Sequence, residues 1–426
     1  MQIYENFLKK SRKILIILHF SLEKSWMMKR LFFILLALLP IVGFSQVKIK
    51  MHIAAQQDSV WYLMRYRGSK TALVDTLKCH SGTARYLNMN KLPEGIYLLE
   101  SQNNIPMTEI LLGKKQIVSI KIKDLNSLSK TKVRGSNETK RYFKLMERLR
   151  RNEMQIAALE SEGQQSEKAR HQIDSLKKDL VDYGKSLKIK DNDSFLNLFI
   201  NSLKRHTMQD YWDDFALNDA RILTYPLIDN KLESYFNNLP IDAKTINGEI
   251  DKLIAKAGDC VEVRDYLIWY FYRKYYSPQY MNLDDIYIHL VDEYFLKLEM
   301  ENVSESVVNM MADRAQYLDK IKIGKQIPPI SNLYHVEADY IALIFFDKTC
   351  KKCAQEGRVL QDIQTRHPEM KIYPVEVNSG MMDDMLMVYD IQTTPTIYLL
   401  DSNKRIIAKR IKAEQVEQFL KPISHE

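Results

Sequence analysis

The chain has 426 residues, 46% of them hydrophobic and 27% charged, with only 13 Gly and 12 Pro. This composition excludes a mainly disordered or low-complexity chain, and the length suggests two to four domains. The formal charge of +8 is concentrated at the start: residues 1–45 hold seven Lys/Arg against two Asp/Glu, and the remaining balance of about +3 does not point to nucleic acid.

Residues 28–45 have the layout of an export leader. Met28-Lys29-Arg30 is basic, Leu31 to Val42 is almost wholly apolar, and Gly43-Phe44-Ser45 places small residues at the −3 and −1 positions before Gln46. The apolar run is shorter than the ~20 residues of a membrane-spanning helix. No Cys follows Ser45, which argues against a lipid anchor. Residues 1–26 precede a start at Met27 or Met28 and read as an over-extended beginning. The mature protein is therefore expected from about Gln46, in the periplasm. Cys79 and Cys260 stand alone in sequence and read as ordinary small buried residues; a bridge between them requires a proximity that sequence does not give.

Residues 46–125 alternate apolar and polar side chains in short runs. The runs are Val47–Ile53, Val60–Tyr66, Thr83–Asn88, Ile96–Glu100, Met107–Leu112 and Ile117–Ile122, with turn residues such as His80-Ser81-Gly82 between them. This predicts an antiparallel β-sandwich-like module. Residues 136–320 predict a helical domain. Tyr142, Leu145, Leu149, Ile156 and Leu159 follow a 3-4 repeat with Asn152 at one seam position, and the repeat resumes at Ile173, Leu176, Leu180, Tyr183 and Leu187. Two such arms around the polar stretch 161–166 predict an antiparallel helical hairpin. A later helix carries Tyr266, Trp269, Tyr270, Tyr272, Tyr275 and Tyr276, a stripe that reads first as core and second as a groove for a client protein.

Gly324-Lys325-Gln326-Ile327-Pro328-Pro329 breaks the helical pattern and reads as a linker. Residues 328–426 then predict an α/β unit. The order is a strand to Phe346, a helix from Cys350 to about His367, a strand over Lys371–Val377 and a helix near Met382–Tyr389. A strand over Thr396–Leu400, a strand over Arg405–Ile411 and a helix over about Ala413–Leu420 complete it.

Cys350-Lys351-Lys352-Cys353 carries the chemistry. Two residues between cysteines at a helix start put the first thiol at the exposed terminus and the second one turn in. Unpaired N–H groups and the helix dipole there favour a thiolate, and Lys351 and Lys352 add positive charge. Cys350 is thus predicted to titrate below the free value of ~8.5, to attack a disulfide, and to be resolved by a more buried Cys353. A zinc site is the alternative; it needs two further ligands, and His335 and His367 are the nearest candidates, at spacings that fit no zinc module.

The stretch Phe345-Phe346-Asp347-Lys348-Thr349-Cys350-Lys351-Lys352-Cys353-Ala354-Gln355-Glu356, with Thr393-Thr394-Pro395-Thr396-Ile397-Tyr398, resembles the TlpA/ResA-like thioredoxins, exported bacterial thiol-disulfide oxidoreductases. The wider layout resembles multidomain periplasmic proteins of Bacteroidota whose upstream domains have no known function. The resemblance implies a thioredoxin fold over 328–426, a cis Pro395 opposite the dithiol, a Thr394 backbone that pairs with a client strand, and a Glu356 at the site mouth that influences proton transfer. It implies no cofactor. The expected partners are client proteins with disulfides or thiols and a membrane electron donor or acceptor, and Lys351 and Lys352 are expected to meet the client. Three positions depart from the pattern: Thr349 stands where the family usually has Trp, Lys351-Lys352 replaces the common x-Pro pair, and Ile344 stands where thioredoxin has a buried Asp. The competing readings are a non-catalytic interaction protein with a vestigial thioredoxin domain and, more weakly, a peroxide-reducing enzyme, which would place a Pro just before Cys350.

Overall fold

The computed structural model describes residues 46–54, 56–161, 167–204, 207–278, 280–300, 303–377 and 383–420. The leader expected over 28–45 and the polar turn at 162–166 lie outside the described residues. The chain divides into two compact units: residues up to Met64 with Leu73–Leu176, and Arg65–Ala72 with Lys177 onward.

The first unit is built on eight strands: β1 (Val47–Ile53), β2 (Ser59–Arg67), β3 (Lys70–Cys79), β4 (Thr83–Asn88), β5 (Gly95–Ser101), β6 (Pro106–Leu112), β7 (Ile117–Ile122) and β8 (Lys132–Arg134). They form two four-stranded sheets, ordered β4-β1-β7-β8 and β3-β2-β5-β6. The alternation seen in sequence is the reason: Val47, Ile49, Met51 and Ile53 point into a core shared with Trp61, Leu63, Tyr97 and Leu99. Two features differ from the expectation. β3 and β8 lack the alternating signal, and β1 pairs with β7 in parallel, Ile49 opposite Val118, so the first sheet is mixed rather than antiparallel.

Helix α1 (Asn137–Ser161) belongs to this unit. Its first turns bury Tyr142 and Phe143, and Thr139 Oγ1 donates to the carbonyl of Leu111 at 2.7 Å. Its partner α2 (Glu167–Leu187) begins after the undescribed turn. Asn152, the polar seam residue, is 4% exposed and donates to the carbonyl of Leu176 at 2.8 Å, as a buried amide must.

The second unit begins with helices α3 (Phe195–Ser202), α4 (Ile228–Phe236), α5 (Ala243–Lys256), α6 (Val261–Tyr275), α7 (Asp284–Leu290) and α8 (Glu305–Lys320). Ser194 caps α3 by accepting from the N–H of Asn197, and Asp242 caps α5 through Thr245. The aromatic stripe of α6 is only partly core: Tyr266 and Tyr275 are buried, while half-buried Trp269 and Tyr272 pack edge-on against Phe295. The expected linker at 324–329 is packed instead. Gly324 and Ile327 donate to the carbonyls of Ile406 and Lys404 at 2.8 and 2.9 Å, and Ile327 is buried.

The last elements are β9 (Tyr340–Phe346), α9 (Lys351–Arg366), β10 (Met370–Glu376), α10 (Asp383–Val388), β11 (Thr396–Asp401), β12 (Ile406–Lys409) and α11 (Ala413–Val416). The sheet order is β10-β9-β11-β12, with β10 parallel to β9 and the other neighbours antiparallel. β9 is buried from Ile341 to Phe345, as a central strand covered on both faces must be. Leu360 and Ile363 of α9 pack on this sheet with Ile397, Leu399 and Val416. Among the described residues, this β-α-β then β-β-α course from Tyr340 to Val416 is a thioredoxin-like arrangement.

Candidate functional site: a dithiol facing a proline loop

Asp347 ends β9 with a tight turn. Its Oδ1 accepts from both the N–H and the hydroxyl of Thr349, each at 2.6 Å, and its carbonyl accepts from the N–H of Cys350 at 3.1 Å. That turn delivers Cys350 to the N-cap of α9 with an extended ψ of 107°. The sulfur then does what a capping hydroxyl does: Cys350 Sγ accepts from the N–H of Cys353 at 3.1 Å. Sequence reasoning passed over Asp347, although Asp-x-Thr before a helix carries the turn signal.

The two thiols differ as expected. Cys350 is half-buried, while Cys353, one turn in, is 5% exposed. A hydrogen bond from the Cys353 thiol holds Cys350 below the ordinary thiol range, helped by the N–H of Cys353, the side chain of Thr394 and the N–H of Lys352. Burial pushes Cys353 up, and the neighbouring Cys350 pushes it further. The direction for Cys350 is the predicted one, and the helix-start N–H groups of Lys352 and Cys353 contribute to it as expected. The thiol of Cys353 is the larger influence, while the side chains of Lys351 and Lys352 are exposed to water. All four cysteines are free thiols, with Cys79 buried and Cys260 only half-buried at the N-cap of α6.

The opposite wall comes from the segment before β11. The Thr394–Pro395 peptide bond is cis, and the Cys350 thiol lies 3.8 Å from the carbonyl oxygen of Thr394. A cleft of about 280 Å³ runs beside it, lined by Lys352, Glu356, Gln392, Pro395 and, from the segment after α6, Ser277 and Pro278. Glu356 has a structural task here: its Oε2 accepts from the N–H of Ala413 at 2.6 Å, which fixes the start of α11. Ile344 is 4% exposed and packs in the sheet core, so no carboxylate reaches Cys353 from that position. His367, considered above as a metal ligand, is instead held between Glu369 at 2.9 Å and Glu417 at 3.2 Å.

A buried ion network, not foreseen from sequence, anchors this wall. Asp390 begins the proline loop at a φ of +46° and is 6% exposed. Its carboxylate accepts from Arg314 Nε of α8 at 2.9 Å and from Arg410 Nη1 at 2.8 Å. Arg410 also pairs with Asp284 of α7, and the other oxygen of Asp284 pairs with Lys409, whose side chain is 1% exposed. Lys409 further donates to the carbonyl of Ile321 at 2.8 Å. Arg314 stacks over the rings of Tyr276 and Tyr287 at 3.9 and 4.5 Å. Charges this deep persist only when paired and hydrogen-bonded, so the network ties helices α7 and α8 to the loop that faces Cys350.

No protein-family model matches the chain, and no curated protein matches it. Solved structures do resemble it in part. A thioredoxin-like protein from Bacteroides caccae is 17% identical over 52% of this chain and 92% of its own, with a TM-score of 0.41. A domain of a possible thiol-disulfide isomerase from Cytophaga hutchinsonii is 32% identical over 20% of this chain and 76% of its own, with a TM-score of 0.19. The thioredoxin domain of a thiol-disulfide oxidoreductase from Bacteroides vulgatus is 20% identical over 23% of this chain and 98% of its own, with a TM-score of 0.20.

Proposed function

We propose that this chain is a thiol-disulfide oxidoreductase of the TlpA/ResA-like kind, exported to the periplasm, that exchanges disulfides with client proteins through Cys350 and Cys353. One observation carries the reading: the sulfur of Cys350 sits at a helix N-terminus, bonded to the N–H of Cys353, with the carbonyl of Thr394 beside a cis proline 3.8 Å away. That arrangement pairs a stabilised thiolate with a resolving thiol and the half-buried loop backbone that precedes β11.

The reaction is two displacements. The Cys350 thiolate attacks one sulfur of a client disulfide; that S–S bond breaks, a Cys350–client bond forms, and the first client thiolate leaves and takes a proton from water. Cys353 then gives its proton to water, and its thiolate attacks the Cys350 sulfur. The mixed disulfide breaks, the Cys350–Cys353 disulfide forms, and the second client thiolate departs. The client gains two electrons and the dithiol loses them; a dithiol donor held at the membrane restores the pair, and the reverse sequence oxidises a client. Pro395 keeps the facing loop clear of the sulfur, and the Thr394 backbone aligns the client strand. Lys351 and Lys352 flank the entrance and meet the client rather than tune the thiol. The test is reduction of a disulfide-bonded protein by the reduced chain. Turnover that disappears in Cys350→Ser supports the reading, and equal rates for the two proteins contradict it.

A further inference from the structure

The cleft beside Pro395 has a neighbour on the far side of the proline loop. Asp390 and Gln392 also line a second hollow of about 210 Å³, and this one is apolar. Its walls are Tyr272 and Tyr276 at the end of α6, Met310 of α8, and Leu386 and Met387 of α10. Met310 is 57% exposed, Tyr276 40% and Met387 37%, a cluster of large apolar side chains left open to solvent next to the start of the proline loop. The rim is held in place: Tyr276 stacks under the guanidinium of Arg314, which is itself bound to Asp390. Along α6 the aromatic stripe thus runs from buried Tyr266 and Tyr275 through half-buried Trp269, Tyr270 and Tyr272 to exposed Tyr276.

We propose that this hollow takes an apolar side chain of the client, on the same segment as the cysteine that exchanges with Cys350, so that the upstream helices select which clients react. The inference rests on the exchange reading given above. Continuity with the cleft beside Pro395, which Lys352 of the Cys-x-x-Cys segment also lines, identifies the occupant. Gln392, common to both hollows, stands two residues from Thr394, whose carbonyl faces Cys350. A client extended along this loop advances about 3.3 Å per residue, which puts the apolar side chain about two to four residues from its cysteine. The lining sets the chemical class. Thioethers adapt to many shapes and tyrosine rings offer apolar faces, so the hollow accepts leucine, methionine or phenylalanine rather than one residue type.

The experiment compares the reduced full-length protein against peptides that carry one cysteine as a disulfide with a small thiol. The peptides place either Leu or Ser two, three or four residues from the cysteine, on either side. A small aromatic disulfide without a peptide serves as the reference. At one of these offsets the Leu peptide should react about tenfold faster than its Ser counterpart, as expected for a half-buried apolar side chain. That preference should fall below twofold in Met310→Glu and in Met387→Glu, while the small disulfide reacts at the native rate. Equal rates for Leu and Ser peptides at every offset, with the small disulfide still reacting, overturn the inference and leave the exchange reading standing. No reaction with any disulfide overturns the exchange reading itself. The comparison between peptides on the unmodified protein is decisive even where a variant misfolds.

Discussion

Replacing Asp284 with Asn isolates the contribution of the buried ion network. The substitution keeps the shape of the side chain and removes one charge from a site where Asp284 is 3% exposed and Lys409 1% exposed. Arg410 retains Asp390 at 2.8 Å, so it stays compensated. Lys409 is left with the carbonyl of Ile321 and an amide group at position 284, dipoles in place of a charge. Breaking a buried pair in this way costs about 3–5 kcal/mol. Burial already lowers the Lys409 pKa below the ordinary lysine value, and loss of Asp284, which raises it, lowers it further. The unfolded chain therefore binds a proton that the folded variant gives up, so the variant gains stability relative to the native protein as pH rises toward the unfolded lysine value of ~10.4. Urea unfolding followed through Trp212 and Trp269 in the second unit measures both effects. A loss of about 3–5 kcal/mol at pH 7 that shrinks at pH 10 is expected. A loss below about 1 kcal/mol, or one that is the same at both pH values, refutes the assignment of Lys409 as a buried charge dependent on Asp284.

Four further variants read out other parts of the structure. In Cys353→Ala, the pH midpoint for alkylation of Cys350 should move up, because the Cys353 thiol is the largest influence holding it down; in the Lys351→Ala, Lys352→Ala double variant the midpoint should stay in place. Glu356→Ala leaves the N–H of Ala413 without its acceptor and should cost about 1–2 kcal/mol in thermal or urea unfolding, with the alkylation profile of Cys350 unchanged. Gly82→Ala should destabilise the first unit by at least about 1–2 kcal/mol, since Gly82 sits at a φ of +69° and an added Cβ would lie 2.4 Å from the carbonyl oxygen of Ile53; a neutral effect on unfolding would show that the turn has another conformation.

Sequence exposes what repeats locally. The alternation of Val47, Ile49, Met51 and Ile53, the Cys350-x-x-Cys353 spacing and the Thr394-Pro395 pair each announce an element within a few residues, and each is where it was expected. β3 went unseen because only Leu77 and Cys79 of its ten residues are buried, so no alternation marks it. The parallel pairing of β1 with β7 joins segments about seventy residues apart, and a strand's pattern does not name its neighbour. The ion network draws Asp284, Arg314, Asp390, Lys409 and Arg410 from separate stretches of the second unit, and a charged side chain in sequence reads as solvated until a partner is placed beside it. The lysines next to Cys350 show the converse. They are conspicuous in sequence, yet direct hydrogen bonds outweigh exposed charges that water screens.

The central claim is that Cys350 attacks and Cys353 resolves. Incubating Cys353→Ser with a disulfide-bonded peptide, quenching with acid and mapping the adduct by mass spectrometry tests both roles together. A stable mixed disulfide on Cys350, absent from the native protein because Cys353 releases it, is the predicted result. Absence of any adduct on Cys350, or equal adduct in the native protein and the variant, would contradict it.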